Sequence, residues 1–431
     1  MRPTACRWGR CRLALSRPGA TRTPRPYNDG VHYGIIADDL TGACDVAASL
    51  TRLGYRPIVQ LRAVRLGLRR VPKAPDCAVM VINARSRESS VDGAVALVDA
   101  AGDLLQRAGR QIDYYKMDST LRGHWPEELN PLYSRLRPKR VLICPAFPAR
   151  GRLFRDGHLH VPREQWSDVY ESSSAGFPAG LQTRLREVRG ESPQLVGLQA
   201  VRSGPAFVRA TVDAARRRFL VFDAVCERHL ETIGKALRGS AERYLWAGSA
   251  GLAPHVFPRL AQPEVGPAPS PERPWLLIQG SRQRISHEQF RQLGDSVLSV
   301  AFHSRAGRKQ LGQWYDAAVE ALARRQHVSV EVGRDWGASF GEEFARFLER
   351  LLDGVCAKQW LGGIFVSGGS TAEVVCDRLR VNYLRVVAEV RPGIAWSFLV
   401  DGRLPDLPLI TKAGGFGSAG EVREILKEVS S

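Results

Sequence analysis

The sequence predicts an α/β protein of two domains with mainly parallel sheets, facing each other across a hinge. Three observations lead there. Past residue 30, short β-branched runs alternate with amphipathic stretches, the pattern left by parallel sheets flanked by helices. One segment with five prolines, AQPEVGPAPSPERP at 261–274, interrupts the alternation and reads as a linker. The length, 431 residues with 44% apolar and 25% charged, suits about two or three globular cores. The expected organisation is a basic arm over 1–30, a first domain over 31–260, the linker over 261–274 and a second domain over 275–431.

Composition excludes several classes. No stretch approaches about 18 uncharged apolar residues, so no membrane-spanning helix is expected. The eight cysteines stand singly without a CxxC pair, which argues against a zinc site or redox motif. Cys44, Cys77, Cys144 and Cys376 lie in apolar runs, where a thiol acts as a small hydrophobe, and a reducing cytoplasm is the simplest compartment. The balance of 62 basic against 44 acidic residues gives +18. The arm 1–30 alone supplies +6 from seven arginines and Asp29. It lacks the apolar run of a secretory signal and reads as disordered and dispensable, either a mitochondrial-type presequence or upstream sequence outside the true start. The remaining charge is thinly spread, mostly as arginine on helix faces, so neither nucleic acid nor membrane is expected as a partner.

In the first half, strands are expected over 33–37, 78–83, 113–116, 141–144 and 219–223. A helix over 91–105 keeps Val91, Ala94, Leu97, Val98, Ala101, Leu104 and Leu105 on one stripe. After the linker the alternation restarts, with strands over 275–279, 297–302, 328–332, 363–366, 386–390 and 407–411. Phe340, Phe344, Phe347, Leu348, Leu351 and Leu352 mark a strongly amphipathic helix, and another is expected over 372–379.

Open parallel sheets bind ligands beyond the carboxyl ends of their strands, and the most unusual residues fall there. Strand 33–37 runs into Asp38-Asp39-Leu40-Thr41-Gly42. Adjacent acids repel unless a cation is supplied; the plain structural reading has one capping a helix and the other solvated. Strand 113–116 ends in Lys116-Met117-Asp118-Ser119-Thr120-Leu121-Arg122-Gly123. Lys116 and Arg122 could clamp a carboxylate or phosphate, and Asp118 could take a proton from a hydroxyl. The plain alternative is a local i,i+4 ion pair between Asp118 and Arg122. A third turn, from Pro145 to Gly151-Arg152, adds a basic loop on the same edge. His158-x-His160 has no third ligand nearby in sequence and reads as structural.

The second half offers glycine and hydroxyl groups instead. Gly280-Ser281 follows strand 275–279, Ser367-Gly368-Gly369-Ser370-Thr371 follows 363–366, and Lys412-Ala413-Gly414-Gly415-Phe416-Gly417 follows 407–411. A strand, a Gly-Gly turn and a helix start with free N–H groups form a phosphate cradle. Any one turn could be just a tight connection; three after strands are harder to dismiss. No GxxxxGK[ST] occurs, so this is not a P-loop. The GxGxxG at 415–420 is succeeded by only eleven residues, too few for a dinucleotide-binding unit.

Together these residues resemble the four-carbon acid sugar kinase family. The resemblance rests on ADDLTGACD (37–45), KMDSTLRG (116–123), PAFPARGRLFRDGHLHV (145–161), AGSAGLA (247–253), GSRQRISHEQ (280–289), VSGGSTAEVV (366–375), EVRPG (389–393) and KAGGFG (412–417). It runs in order from about residue 33 to 425. It implies phosphorylation of a tetronate or 3-oxo-tetronate at O4 by ATP with Mg²⁺. It assigns Asp38, Asp39, Lys116, Asp118, Ser119 and Arg122 to the sugar acid, and Ser281, Gly368, Gly369, Ser370, Thr371 and Gly414 to ATP. Arg122, Lys116 and Arg152 are expected to hold the substrate; Asp38, Asp39 or Asp118 is expected to act on O4, with Asp38 favoured; the Asp38-Asp39 pair could help hold Mg²⁺. Departures include His124 after the DSTLRG glycine, Ala413 and Gly415 in the last motif, and a bulky Arg284 in the GSRQRIS turn. The partners implied are a small sugar acid and ATP, with a homodimer compatible. The alternatives are a kinase for another small hydroxy acid, a basic nucleic-acid-binding protein, or a sugar-acid-binding protein without catalysis.

Overall fold

The computed structural model describes residues 32–64, 67, 77–162, 181–190, 192–240, 242–260, 273–295, 297–302, 308–332, 340–358 and 360–430. The basic arm and residues 261–272 of the Pro-rich segment lie outside the described residues.

The first-half strands are β1 (Tyr33–Ala37), β2 (Ile58–Gln60), β3 (Val79–Asn83), β4 (Gln111–Lys116), β5 (Arg140–Cys144), β6 (Leu153–Arg155), β7 (His158–His160), β8 (Gln194–Val196), β9 (Phe219–Phe222) and β10 (Tyr244–Gly248). The second half adds β11 (Trp275–Gln279), β12 (Val297–Phe302), β13 (His327–Val332), β14 (Gly363–Ser367), β15 (Tyr383–Arg391), β16 (Ile394–Leu399) and β17 (Pro408–Lys412). The helices α1 (Leu40–Thr51), α2 (Val91–Arg107) and α3 (Trp125–Leu136) succeed β1, β3 and β4. Next come α4 (Leu181–Arg189), α5 (Leu198–Arg202), α6 (Pro205–Ala214), α7 (Glu227–Leu237) and α8 (Ala253–Val256). The second half contributes α9 (Arg284–Arg291), α10 (Arg308–Ala323), α11 (Phe340–Lys358), α12 (Gly369–Arg378) and α13 (Glu421–Ser430). The chain is thus α/β with mainly parallel strands.

The strands form one sheet in the order β12-β13-β11-β14-β17-β16-β15-β2-β3-β1-β4-β10-β5-β9-β8. Pairing is parallel on both flanks, while β17, β16, β15 and β2 are joined antiparallel. Three residue pairs, Tyr383–Gln60, Leu384–Val59 and Arg385–Ile58, carry the sheet from one half to the other. Without them β2 and β15 would each present unpaired edge groups, so the junction satisfies both edges. β6 and β7 form a separate antiparallel ribbon. That ribbon displays His158 and His160 as exposed residues, and no metal-type cluster of His, Cys, Asp or Glu occurs among the described residues.

Expected and observed strands coincide within a few residues wherever β-branched runs are long. The short strands β2 and β8, β10 (YLWAG) and the returning strand β16 were not expected. Three-residue strands are too short to show a period, and β16 exists because Gly393, at φ 76°, lets the chain reverse after Arg391.

Helix α1 is decisive for the site. Every residue from Leu40 to Leu50 is buried, because α1 lies against β15, β16 and α12 of the second half as well as β1, β2, β3 and β4 of the first. Its small residues, Thr41, Gly42, Ala43, Cys44, Ala47 and Ala48, permit that close approach on all sides. No helix among the described residues is long and apolar enough to cross a membrane.

Candidate active site

Strand register assembles the site. Ala37 at the end of β1 lies opposite Asn83 of β3 and Lys116 of β4. The loops leaving these three strands, carrying Asp38 and Asp39, Arg85 and Arg87, and Asp118 to Arg122, therefore emerge side by side. In the second half Ser367 of β14 lies opposite Gln279 of β11 and Lys412 of β17. This brings Gly280-Ser281, Gly368–Thr371 and Ala413–Gly417 together in the same way.

On the first edge, Asp39 is the N-cap of α1, its Oδ1 accepting from the Gly42 N–H at 2.8 Å and its Oδ2 from the Thr41 hydroxyl at 2.6 Å. Asp38 is only 2% exposed and is gripped by Arg87, a residue that no motif in the sequence singles out. Arg87 donates from Nε to Asp38 Oδ2 at 2.8 Å and from Nη2 to Asp38 Oδ1 at 2.9 Å. The same Nη2 reaches Asp39 Oδ1 at 2.7 Å and lies 3.9 Å from Asp118 Oδ1. The cation that the adjacent acids require thus comes from the loop after β3; Asp38 is buried, while the Asp39 side chain keeps 15% of its surface exposed. The available signal was its position just past a strand end, the same signal that marks Asp38 and Asp118.

Asp118 takes a fork from Arg122, with Nε at 2.7 Å and Nη2 at 3.2 Å, and a hydrogen bond from the Thr120 hydroxyl. The i,i+4 pair is therefore formed, and the Arg122 side chain still stands 37% exposed. Lys116, 4% exposed, donates to the Met117 carbonyl at 2.8 Å beneath the first turn of α1. Ser119 is buried within the turn. Arg184 of α4 holds the turn by donating to the carbonyls of Leu121 and Gly123.

The carboxyls are electrostatically distinct. Burial pushes Asp38 above the usual carboxylate range, against the pull of Arg87 and Lys116. For Asp39 burial acts the same way, but Arg87, Lys116 and the Thr41 hydroxyl together hold it below its ordinary value. Asp118 is held well below, because Arg122 and Arg87 outweigh its burial. One turn along α1, burial raises Asp45 to about 7 despite Lys116.

The second edge is a cradle of backbone. Gly368, at φ 116°, is the N-cap of α12 and leaves its first turn without a side-chain cap, so those N–H groups are available to an anion. Gly414 has no room for a side chain: a Cβ there would lie 1.9 Å from Ser281 Oγ. Ser286 donates to the Gly414 carbonyl at 2.8 Å. Lys412 is fully buried and donates to the carbonyls of Ala413 at 3.0 Å and Gly414 at 3.2 Å. Burial lowers Lys412 to about 7, with Glu421 opposing and Arg150 reinforcing the shift.

The two edges meet. A Cβ on Gly369 would lie 3.0 Å from Asp39 Oδ2 and 3.3 Å from the Thr41 hydroxyl. Farther along, the guanidinium carbons of Arg150 and Arg152 stand 5.0 and 5.7 Å from the centre of the Phe416 ring. Asp38, Asp39, Lys116, Asp118, Ser119 and Arg122 lie on the first edge and Ser281, Gly368–Thr371 and Gly414 on the second, while Arg152 lies over Phe416 and the His158–His160 ribbon on neither. Arg87, Arg85, Asp45 and Ser286 join them.

Comparison with known proteins agrees with this arrangement. The family model for a sugar-binding N-terminal domain matches residues 33–256, and that for a nucleotide-binding C-terminal domain matches residues 276–420. A D-threonate kinase of Cupriavidus necator is 32% identical over 412 residues, covering 89% of this chain and 94% of that protein. A D-threonate kinase of Bordetella bronchiseptica is 29% identical, covering 90% and 95%. A 3-oxo-tetronate kinase of Salmonella typhimurium is 28% identical, covering 89% and 96%. Crystal structures of proteins from Salmonella typhimurium LT2 and Haemophilus influenzae share the fold, with TM-scores of 0.72 and 0.67 at 21% and 22% identity. The first covers 91% of this chain and 98% of its own, the second 92% and 100%. Matched by both domain models and aligned with kinases over nearly their whole length, the chain belongs to the four-carbon acid sugar kinase family.

Proposed function

We propose that this chain is an ATP-dependent kinase that phosphorylates a four-carbon sugar acid at its O4 hydroxyl. The observation that carries the reading is the meeting of Asp39 with Gly369, which sets an acid- and arginine-bearing edge against a triphosphate cradle. The D-threonate and 3-oxo-tetronate kinases among its relatives support the substrate class. The basic nucleic-acid alternative gains no support, since Arg85, Arg87 and Arg122 are engaged with carboxylates inside the protein.

In this reading the first half holds the sugar acid and the second the nucleotide. Arg122, the partly exposed cation of its turn, receives the substrate carboxylate on the side of the guanidinium that its fork to Asp118 leaves open, assisted by Arg152 and Ser119. Lys116 acts from below, holding negative charge at Asp38 and Asp39. The N–H groups at the start of α12, with Ser281 and Gly414, receive the phosphates. Asp38, the carboxyl raised by burial, is the best proton acceptor of the three. The O4 oxygen attacks the γ-phosphorus, its proton passes to Asp38, and the bond from phosphorus to the ADP oxygen breaks. Asp39 and Thr41 offer hard oxygen donors at the cradle and fit Mg²⁺, which binds through few carboxylates and substrate phosphates. Bound there, it would neutralise charge on the phosphate oxygens.

The test is an ADP-release assay over tetronates, 3-oxo-tetronates and three- and five-carbon hydroxy acids. Turnover is expected only with a four-carbon acid. Asp38→Asn, Asp39→Asn and Asp118→Asn should each lower kcat, by about 100-fold for Asp39, the carboxylate beside the cradle. No stimulation by any acid, or full activity in all three variants, overturns the reading.

A pH dependence is expected from Lys412. Its ammonium is present below about 7 and lost above, so the KM for ATP should rise several-fold between pH 6 and 8.5. Lys412→Arg, which keeps its charge throughout that range, should flatten the rise. A profile identical in the two proteins would remove Lys412 from nucleotide binding.

A further inference from the structure

The segment 83–87 touches both halves of the active site, and its side chains divide between them. Arg87 grips Asp38 and Asp39 on the sugar-acid edge. Two residues earlier, Arg85 turns to the nucleotide half. Its Nη2 lies 2.8 Å from Glu373 Oε2 and its Nη1 donates to Asp377 Oδ2 at 3.0 Å. Glu373 and Asp377 stand one turn apart on α12, the helix whose first turn is the phosphate cradle. Asn83 adds a hydrogen bond from Nδ2 to Glu373 Oε1 at 3.0 Å and receives the Arg85 N–H on its own Oδ1 at 3.2 Å. Arg62 also approaches Asp377, at 4.0 Å.

The backbone is arranged for this division. Arg85 has φ 57°, a left-handed conformation that costs a non-glycine residue on the order of 1 kcal/mol and persists only where surroundings enforce it. The pairs are not surface decoration, as the side chains of Arg85, Glu373 and Asp377 are only 24%, 15% and 21% exposed. Burial raises Glu373, and the Arg85 guanidinium and the Asn83 amide pull against that rise.

Resting on the kinase reading above, we infer that Arg85 is a positioning residue that sets the cradle helix α12 against the aspartates held by Arg87. Phosphoryl transfer depends on alignment of the two substrates, and a displacement of about 1 Å can cost about 100-fold in rate. Each half keeps its own binding groups without Arg85. What is lost is their mutual placement.

The experiment measures kcat with Mg-ATP and D-threonate, and separately the Kd of each ligand by calorimetry, for wild type, Arg85→Ala, Glu373→Gln/Asp377→Asn and the combined variant. Arg85→Ala should lower kcat by about 30- to 100-fold while each Kd stays within about threefold. The paired α12 variant should reproduce this loss, and the combined variant should add little, because all three side chains form one unit. The α12 variant serves independently should Arg85→Ala fold poorly. A kcat within threefold of wild type, losses that multiply in the combined variant, or a fall in both affinities instead of in kcat would overturn the inference. Absence of turnover in the wild type with every four-carbon acid would instead defeat the kinase reading, and the inference with it.

Discussion

Replacing Arg87 with methionine will destabilise the protein by about 3–5 kcal/mol at pH 8 and abolish measurable turnover. The side chain compensates the buried Asp38 and the partly buried Asp39 and lies 3.9 Å from Asp118. Removing one partner of a buried ionic cluster leaves charge without compensation, which costs more than the cluster contributes when whole. The pH dependence has a definite sign. In the wild type Asp39 and Asp118 are held below their ordinary values. Their contribution is present above the unfolded pKa and lost as pH falls through the folded one. Without Arg87, Asp38, already raised by burial, rises further and Asp39 loses its largest lowering partner, and a buried carboxyl with a raised value loses stability as pH increases. The gap between the two proteins should therefore be widest at pH 8 and narrow towards pH 4. Urea unfolding midpoints at both pH values provide the check. A variant that unfolds at the wild-type midpoint throughout would show that Arg87 is not the compensating charge.

Gly414→Ala will raise the KM for ATP by at least about 30-fold, with the affinity for the sugar acid changed by less than threefold. The new Cβ would stand 1.9 Å from Ser281 Oγ and 2.6 Å from Ser281 Cβ, separations that non-bonded atoms do not sustain. Either the Ser281 turn or the 413–417 loop must move, and both line the cradle. Such overpacking also costs about 1–3 kcal/mol of stability. The cause can be isolated by removing the obstructing atoms. Ser281→Gly introduced beside Gly414→Ala should recover stability and part of the ATP affinity. No recovery would mean that Gly414 is required for another reason, such as approach of a phosphate to its N–H.

The candidate site was legible to the extent that it sits at strand ends. Asp38, Asp39, Asp118, Ser281, the Gly368–Thr371 turn and Gly414 all stand just past an apolar run, so a short stretch of chain is enough to pick each of them out. Arg87 was missed because the residues that give it meaning are 48 and 49 positions away. Arg85 was missed for a stronger version of the same reason, since its partner Asp377 lies 292 positions on. The plain reading of Asp118 and Arg122 as an i,i+4 pair was correct as geometry, which shows that local ion pairs can be read from spacing alone.

What the amino-acid order determined by itself is the alternation of strands and helices, the edge on which the chemistry lies and the division into an acidic and a glycine-bearing half. Each depends on side-chain period or on turns a few residues long. Only the tertiary structure decided that β2 and β15 join the halves in one sheet, that α1 is enclosed on every side, and that Arg85 and Arg87 face opposite ways from one short segment. Those features arise from contacts between residues far apart in the chain, where the burial of charge and the pairing of exposed edges are settled by the elements that pack alongside.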